Sequence, residues 1–580
     1  MKRPGDRIAV RVSRNGILLV LIALGSLGLN LLGNGWGSPD RWHPDEMDGT
    51  AAALIAQKTL NPHFFPYGGL HYYVLALTAA APVGAYNYIF DRKPPANDKE
   101  GLQGWRARKD ARVQILARSV SAVLATLTVL LTYRMGALLF TTSTGLLAAA
   151  ILAVCSYFVL IAHFATVDSA ANFWYWLACL LALLGWKRGG VGWYLLAAFT
   201  IGLACGTKVD RLLAVLPWIT AILLREPDAK IPAPRIARWA VLIPVGYIIA
   251  NPSLLLSFFE FVAGTSTDLI FNTLRGSGTT GFGALLAEIG RGMSWPLFAL
   301  TGCGLLYYML RGRQHREMLW LLTALVPLYL VFGSRFAMPW YCPFFFPGLA
   351  IIAAQGAVGI YTRSTGFFRL TAGAAVGIAL LWSLLRALAV DQQFLHDSRY
   401  AAAAWVEMHV PQGTRIEVSR RGPPLAGGRY ILQHDDIPQD YYADAQDWSQ
   451  NLHSSPLYRI ITAGLQDLAL WSGHKQSQTY KPWFERVIGT RAAEPASATL
   501  PEPEFRVIVD YLDESTLQRL MQPNSGYRLV ATFLYQQPRG FELTFPFVNP
   551  TTYIFQRVPP RTLTNQGDAS GQRDAKPEGS

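Results

Sequence analysis

Long apolar runs alternate with short polar connections from about residue 14 to residue 390. Runs that could span a membrane lie near 14–33, 114–135, 145–162, 169–186, 191–207, 211–224, 239–258, 294–310, 318–333, 340–360 and 370–390. A span needs about 20 apolar residues, and several of these runs are nearer 15, so their ends are approximate. The pattern predicts a polytopic α-helical membrane domain over 1–390 with about 11 transmembrane helices.

One more apolar run, residues 70–90, contains tyrosines and a proline and decides the topology. If it does not cross, twelve basic residues lie in short cytoplasmic loops; if it crosses, only the seven basic residues of 91–112 do. Since positive charge concentrates on the cytoplasmic side, the first arrangement is favoured. We therefore expect an interfacial helix at 70–90 inside a first outer loop, 34–112. Residues 14–33 are expected to be an uncleaved first helix with a cytoplasmic N-terminus.

The composition changes after the last apolar run. Residues 391–559 contain strand-like runs at 505–510 and 527–534 and an amphipathic helical pattern at 398–409. This tract is expected to form an extracytoplasmic α/β domain. The final residues, 560–580, are rich in glycine, proline and polar residues and are expected to be disordered.

Composition excludes several classes of protein. The chain is 51% hydrophobic and only 15% charged, whereas a soluble domain carries about 25% charged residues. The net charge of +13 comes from short basic clusters between apolar runs, so nucleic-acid binding is not predicted. The five cysteines lie in or beside apolar segments without a CxxC pair, which indicates neither a disulfide framework nor a thiolate metal site.

Acidic residues provide the candidate catalytic groups. Asp45 and Glu46 follow the first predicted helix, where a carboxylate could accept a proton from an acceptor hydroxyl. The alternative is a solvated turn with Asp45 as a helix N-cap and Asp48 in the first turn. Asp168 begins the fourth predicted crossing and could also be an N-cap, but an ionisable residue at a membrane boundary is often functional. The predicted topology places both acidic motifs on the same side.

Cations are expected on that side too. Arg118 begins the second crossing, Lys208 lies between the fifth and sixth, and Arg335 precedes the tenth. Such residues could bind a lipid-linked phosphate, arginine by two parallel hydrogen bonds and lysine as a point charge. The alternative for each is a snorkelling side chain or an ion pair with Asp168 or Asp210.

Four histidines lie in the same part of the sequence: His43, His63, His71 and His163. They could bind a metal ion together with Glu46 or Asp168, but none of their spacings is diagnostic, so no cofactor is predicted and a divalent metal is left open. A Walker motif, GxSxG and HExxH are all absent from the sequence. The usual ATP-driven and serine-hydrolase mechanisms are therefore not expected.

Seven short motifs follow one another along the chain in a recognisable order. They are His43-Pro-Asp-Glu, Pro66-Tyr-Gly-Gly-Leu-His-Tyr-Tyr, Ala117-Arg-Ser-Val-Ser-Ala, residues 163–168, Gly206-Thr-Lys, Asn251-Pro-Ser and residues 334–343. In order and spacing they resemble the GT-C glycosyltransferases, most closely the protein O-mannosyltransferase and aminoarabinose-transferase branch. The likeness covers about 14–390. One departure is Tyr67-Gly68, where the family usually has two prolines, so acceptor entry is not carried over.

The resemblance implies a membrane enzyme that transfers a sugar from a polyprenyl-phosphate donor to a protein, lipid or polysaccharide on the outer face. It implies the following roles: Asp45 as general base, Glu46 orienting donor or acceptor, Asp168 completing the catalytic site, Arg118, Lys208 and Arg335 holding the donor phosphate, and His43, His71 and His163 as further donor or acceptor contacts. If one base activates the acceptor for direct attack and the lipid phosphate leaves, the sugar carbon is inverted. We expect residence in a bacterial inner membrane, and the charge count places the C-terminal domain in the periplasm.

Two other functions remain open at this point. A transporter or lipid flippase would explain the helices and the charges at the membrane edge, but not the outer domain or the adjacent carboxylates. Internal hydropathy symmetry would favour that alternative, and none is found. An assembly scaffold without activity would make substitution of Asp45 silent.

Overall fold

A computed structural model describes residues 13–558 except 66, 226–231, 259, 263, 264, 266–280, 312–314, 334–337, 420, 436–501, 511–513 and 546. Within these residues, seven helices, the segment 69–90 among them, are long and apolar enough to cross a membrane, or up to nine if each of two bent helix pairs counts as one span. The predicted polytopic membrane protein is confirmed at this level. The number eleven stays a prediction, because several helices are short, and the tail 560–580 lies outside the described residues.

The first half of the bundle follows the predicted runs. Its helices are α1 (Arg14–Leu31), α2 (Asp48–Gln57), α3 (Gly69–Leu75), α4 (Ala81–Phe90), α5 (Lys99–Leu139), α6 (Thr142–Ala153), α7 (Ser156–Ala162), α8 (Val167–Arg188), α9 (Val191–Cys205) and α10 (Val215–Arg225). A π-helical turn (Ala76–Ala80) joins α3 to α4, and a 3₁₀ turn (Val209–Ala214) precedes α10.

The second half continues in the same way. Its helices are α11 (Ala233–Ala240), α12 (Leu242–Ala250), α13 (Ser253–Leu256), α14 (Phe282–Met293), α15 (Trp295–Arg311), α16 (His315–Gly333), α17 (Phe346–Arg363) and α18 (Gly366–Leu395), with a 3₁₀ turn (Pro339–Phe344) before α17. The chain bends by 65° between α6 and α7 and by 114° between α14 and α15.

Helix α5 is much longer than a single membrane span. The side chain of Asp98 caps its first turn by accepting a hydrogen bond from the Gly101 backbone at 2.9 Å. Its 41 residues correspond to about 60 Å at 1.5 Å per residue, against a hydrocarbon layer of about 30 Å. The charged first part of α5 therefore extends beyond the apolar segment predicted at 114–135.

The segment 69–90 stays near one end of α5. At its start, Tyr72 packs in the same buried cluster as Ala117 of α5. At its end, Asn87 accepts a hydrogen bond from Arg112 at 2.6 Å, and the indole N–H of Trp105 donates to the backbone carbonyl of Asp91 at 2.6 Å. The α5 residues touched at the two ends are thus within about 18 Å of each other along the helix. A crossing needs about 30 Å, so this geometry favours the interfacial placement.

Beyond α18 the chain forms helix α19 (Ser398–His409) and a mixed sheet. Its strands are β1 (Arg415–Ser419), β2 (Ile431–Asp435), β3 (Phe505–Val509), β4 (Tyr527–Phe533) and β5 (Thr552–Arg557), with α20 (Glu514–Leu520) between β3 and β4. The strand order is β2-β1-β3-β5-β4. The pairs of β1 are parallel and the pairs of β5 are antiparallel. The helix and both strands predicted from the sequence in this tract are present.

Three buried clusters organise these layers. The largest fills the helical bundle around Tyr175, Trp176 and Trp320. A small cluster with Met47 and Val167 lies where the polar loops meet α3 and α5. A third packs α19 against the sheet. The second cluster supports the candidate site.

Candidate active site

Asp45 is the accessible member of the first acidic motif. Its side chain is exposed, and within the described residues it has no hydrogen-bond or ion-pair partner. Its backbone N–H donates to Nδ1 of His43 at 3.2 Å, which fixes the turn that presents the carboxylate. A carboxylate held in this way, with its oxygens unoccupied, is available to accept a proton.

Glu46, the next residue, is buried and fully engaged. Its carboxylate accepts hydrogen bonds from Gln114 at 2.7 Å, from Arg118 at 2.6 and 2.9 Å, and from the backbone of Ala165 at 3.2 Å. Burial alone would raise the pKa of Glu46, but Arg118, assisted by His43, holds that pKa below its usual value. Glu46 is therefore a fixed anion that joins two parts of the chain.

Arg118 is the cation of this ion pair. Its side chain is fully buried, and it also donates hydrogen bonds to the backbone carbonyls of Asn34, at 3.0 Å, and Trp36. The sequence suggested a phosphate contact for Arg118. The guanidinium faces Glu46 and the loop after α1 and has no exposed surface, and the phosphate contact stays a prediction.

The second acidic motif carries a second ion pair. Asp168, in the first turn of α8, accepts a hydrogen bond from Nζ of Lys208 at 3.0 Å and another from the hydroxyl of Thr166 at 3.2 Å. This is the ion-pair alternative that the sequence left open for Lys208. The Lys208 side chain nevertheless stays 17% exposed.

Backbone hydrogen bonds bring the separate motifs together. Met47 donates to the carbonyl of Ala165 at 2.9 Å, which joins the two acidic motifs. Gly68 donates to the carbonyl of Thr207 at 3.1 Å, so the start of α3 docks on the lysine turn. Gly69 donates to Oδ1 of Asn251 at 2.7 Å. Segments that are up to 200 residues apart thus surround one site.

A close backbone approach explains the departure at Gly68. A Cβ atom on Gly68 would lie 2.0 Å from the carbonyl oxygen of Gly206. Only glycine allows the two chains to approach so closely. The Tyr67-Gly68 sequence therefore follows from how α3 docks on this turn.

Three of the four candidate histidines are buried near the site. His43 packs against Phe164 with ring centroids 4.2 Å apart and the ring planes tilted by 36°, and burial lowers the pKa of His43 against the effect of the nearby Asp45. His163 lies within 2.8 Å of the Val159 carbonyl and 2.7 Å of the Leu32 carbonyl.

The other two histidines differ in environment. His71 is fully buried in α3, whereas His63 is exposed and pairs with Glu260 at 2.8 Å. In the described part of the chain, no three His, Cys, Asp or Glu side chains are grouped as metal ligands. Arg335, the remaining predicted phosphate contact, lies outside the described residues.

Sequence reasoning missed a group of buried residues behind the first acidic motif. Trp36, Asp397 and Arg399 are each about 2% exposed or less, and Trp36 donates a hydrogen bond to Asp397 at 2.9 Å across 361 residues. Asp397 and Arg399 stand at the start of an amphipathic helix, where charges are normally solvated. Their only sequence signal is a pair of opposite charges, which does not reveal what covers them.

The family comparison covers the centre of this site. Residues 112–254 match the model of the dolichyl-phosphate-mannose-protein mannosyltransferase family. Over these residues the chain is similar to protein O-mannosyltransferases. The resemblance predicted to this branch of the GT-C glycosyltransferases is confirmed, and so is the prediction of a glycosyltransferase. The match includes Arg118, Asp168, Lys208 and Asn251 but begins after the first acidic motif. No curated protein sequence matches the chain.

Three solved structures show a weaker, overall similarity. ArnT from Cupriavidus metallidurans bound to undecaprenyl phosphate is 12% identical, with 94% of this chain and 99% of that chain covered and a TM-score of 0.48. Archaeal oligosaccharyltransferase AglB from Archaeoglobus fulgidus, in complex with an inhibitory peptide and a dolichol-phosphate, is 14% identical, with 70% of this chain and 62% of that chain covered and a TM-score of 0.43. Arabinofuranosyltransferase AftD from Mycobacteria is 16% identical, with 93% of this chain and 41% of that chain covered and a TM-score of 0.41. Similarities of this size carry no functional argument.

Proposed function

We propose that this protein transfers a sugar from a polyprenyl-phosphate donor to an acceptor hydroxyl outside the cytoplasm, with Asp45 as general base. The observation that carries the proposal is the contrast between two adjacent carboxylates. Asp45 is exposed and free of partners among the described residues, whereas Glu46 is buried in an ion pair. One carboxylate can move a proton while its neighbour holds the loop in place.

The proposed step is a direct displacement. The acceptor oxygen attacks the anomeric carbon of the sugar while the Asp45 carboxylate takes the hydroxyl proton. The bond between that carbon and the phosphate oxygen breaks, and polyprenyl phosphate leaves with the bonding electrons. Because attack and departure occur on opposite faces, the configuration at the anomeric carbon is inverted.

Lys208 is the described cation best placed for the donor phosphate. Its side chain is partly exposed, and Asp168 holds its ammonium group at 3.0 Å. In the proposed complex the donor phosphate is a second anionic partner of this ammonium group. We assign Asp168 to orienting Lys208, and Arg118 to orienting Glu46.

The chemical class of the partners follows from the family match. That family's name specifies a dolichyl-phosphate sugar and a protein acceptor, so a polyprenyl phosphate is the proposed carrier here. The acceptor is proposed to be a protein, lipid or polysaccharide. We place the site and the C-terminal sheet on the periplasmic side of a bacterial inner membrane, because that arrangement keeps most loop basic residues in the cytoplasm.

The direct test is transfer by the purified full-length protein in vesicles made from a lipid extract of its native membranes. This extract supplies polyprenyl-phosphate sugars, and extracted membrane proteins and glycolipids supply acceptors. We expect free polyprenyl phosphate to accumulate while an acceptor gains the mass of one sugar. If the sugar stays on its lipid and the lipid instead moves across the bilayer, the protein is a flippase and the proposal is wrong.

A further inference from the structure

Asp397 is a buried carboxylate at the junction of the helical bundle and the C-terminal sheet. Its side chain has no exposed surface. It accepts hydrogen bonds from the backbone N–H, Nε and Nη2 of Arg399 at 3.1, 2.8 and 2.8 Å. It also accepts from the indole N–H of Trp36 at 2.9 Å and from the backbone of Asn549 at 2.8 Å. Five donors from three chain segments therefore meet at one carboxylate.

Arg399 extends this junction toward the first outer loop. Its guanidinium carbon lies over the ring of Trp42, 3.6 Å from the ring centroid, in a cation–π contact. It also donates to the backbone carbonyls of Arg421 at 3.1 Å and Phe547 at 2.9 Å. The pair thus binds the loop and the C-terminal region at the same time.

Trp36 connects the junction to the proposed catalytic motif. Its indole N–H donates to Asp397, and its backbone carbonyl accepts a hydrogen bond from Arg118. Arg118 in turn holds both carboxylate oxygens of Glu46. A continuous buried chain of hydrogen bonds therefore runs from Asp397 to the residue beside Asp45.

We infer that Asp397 and Arg399 are positioning residues for the catalytic motif, acting through Trp36 and Arg118. This inference rests on the proposed function. The loop between α1 and α2 has no regular secondary structure of its own beyond turns, so tertiary contacts must set the direction of Asp45. The C-terminal region is then part of the active-site framework rather than a separate appendage.

Burial restricts the geometry of this hydrogen-bond network. A buried charge that loses its partner is strongly unfavourable, so Asp397, Arg399, Arg118 and Glu46 each restrict their neighbours to one arrangement. Catalytic groups gain most when they are fixed in advance, because a shift of about 1 Å can cost about a hundredfold in rate. The four charges offset one another in two pairs, so the network needs no outside ion.

The test compares two buried tryptophans. Trp36→Phe keeps an aromatic ring but removes the N–H that reaches the Asp397 carboxylate. Trp218→Phe removes a buried N–H bond of 3.0 Å to the backbone carbonyl of Tyr194 inside the bundle. For folded protein we expect Trp36→Phe to lower kcat for sugar transfer by about tenfold to a hundredfold. We expect the KM for the polyprenyl-phosphate-sugar extract to change less than twofold. Trp218→Phe should keep the wild-type kcat.

The pH profile separates positioning from loss of stability. Glu46 has a lowered pKa in the folded state, so its stabilising effect is present above its unfolded pKa and is lost as the pH falls through the folded value. The charged groups that interact with it are Arg118 from α5, His43 and Arg41 on its own loop and, at longer range, Asp48. If Trp36→Phe weakens the contact of Arg118 with Glu46, activity and melting temperature should each begin to fall at a higher pH than in the wild type. We call these low-pH declines the acid limbs. Trp218→Phe should leave both limbs in place.

Two outcomes would overturn the inference. One is folded Trp36→Phe with wild-type kcat and wild-type acid limbs. The other is an equal change in Trp218→Phe. If Trp36→Phe does not fold, Arg399→Lys is tested instead, because lysine keeps the charge but loses the paired contacts to Asp397. In the same series, Asp397→Glu should keep more activity than Asp397→Ala. If the wild type transfers no sugar, the proposed function fails, while the acid limb of melting temperature still tests the positioning chain.

Discussion

Neighbouring carboxylates at positions 45 and 46 show how one residue step can divide two chemical tasks. The turn at His43 points Asp45 outward, and the following residue enters the buried cluster beside Met47. Inside, Glu46 meets Arg118, and their attraction exceeds the cost of burying the carboxylate, so it stays ionised. Outside, Asp45 keeps its oxygens free for a substrate.

The buried ion pair predicts a large stability effect. Glu46→Gln leaves Arg118 charged and without its partner in the interior. We expect a loss of about 3–5 kcal/mol in the free energy of unfolding. Thermal unfolding in detergent measures this, with the exposed Glu407→Gln in α19 as the matched control. A Glu46→Gln protein as stable as the control would show that the pair contributes little.

At this scale the sequence identifies residue types better than residue pairings. The acidic motifs and the cations Arg118 and Lys208 could be recognised as candidates. Their partners could not, because Arg118 meets Glu46 across 72 residues and Lys208 meets Asp168 across 40. An unpaired cation and a paired one have the same local sequence.

Among the elements, α3 is positioned by its docking contact. Its seven residues continue through the π-helical turn into α4, so that 69–90 is one helix of 22 residues. This helix starts where Gly68 touches the turn of Gly206. Its hydrogen bonds to Thr207 and Asn251 therefore set the position of the interfacial segment.

Gly68→Ala should disrupt this docking. The new methyl group would lie 2.0 Å from the Gly206 oxygen, so one backbone must move. We expect a loss of about 1–3 kcal/mol in stability. Gly84→Ala, in α4, is the control because no atom lies within 4 Å of its added Cβ. Equal melting temperatures for the two variants would contradict the docking contact.

Most element positions follow from hydropathy, and the differences have physical causes. The predicted span at 114–135 lies inside the longer α5, because charged residues continue the helix where no apolar pattern marks it. The predicted span at 145–162 is a bent pair, since the chain breaks between α6 and α7 near Cys155. Hydropathy detects apolar length and does not detect such bends.

For the molecule as a whole, the count of basic residues in the loops predicts the membrane topology. The contacts of 69–90 with α5 support that prediction. Both ends of 69–90 touch the same part of α5. The helical bundle and the C-terminal sheet meet through Trp36 and Asp397, hundreds of residues apart. No local pattern encodes that contact, so the sequence predicts the two regions and not their junction.

Cysteine labelling tests the topology. In a Cys303→Ser background, which removes the exposed native thiol, Gln57→Cys and Glu100→Cys flank the interfacial segment at exposed positions. We expect a membrane-impermeant maleimide to label both in intact spheroplasts. Arg188→Cys, at the far end of α8, should label only after the membrane is opened. Labelling of position 57 without position 100 would mean that 69–90 crosses.

The most direct test of the central claim is the rate of sugar transfer by Asp45→Asn. Because Asp45 is exposed and unpartnered among the described residues, its melting temperature should match the wild type within the effect of an ordinary surface substitution. The rate should fall by about a hundredfold or more, since the amide cannot accept the acceptor proton. A folded Asp45→Asn protein that transfers sugar at the wild-type rate would show that Asp45 is not the base.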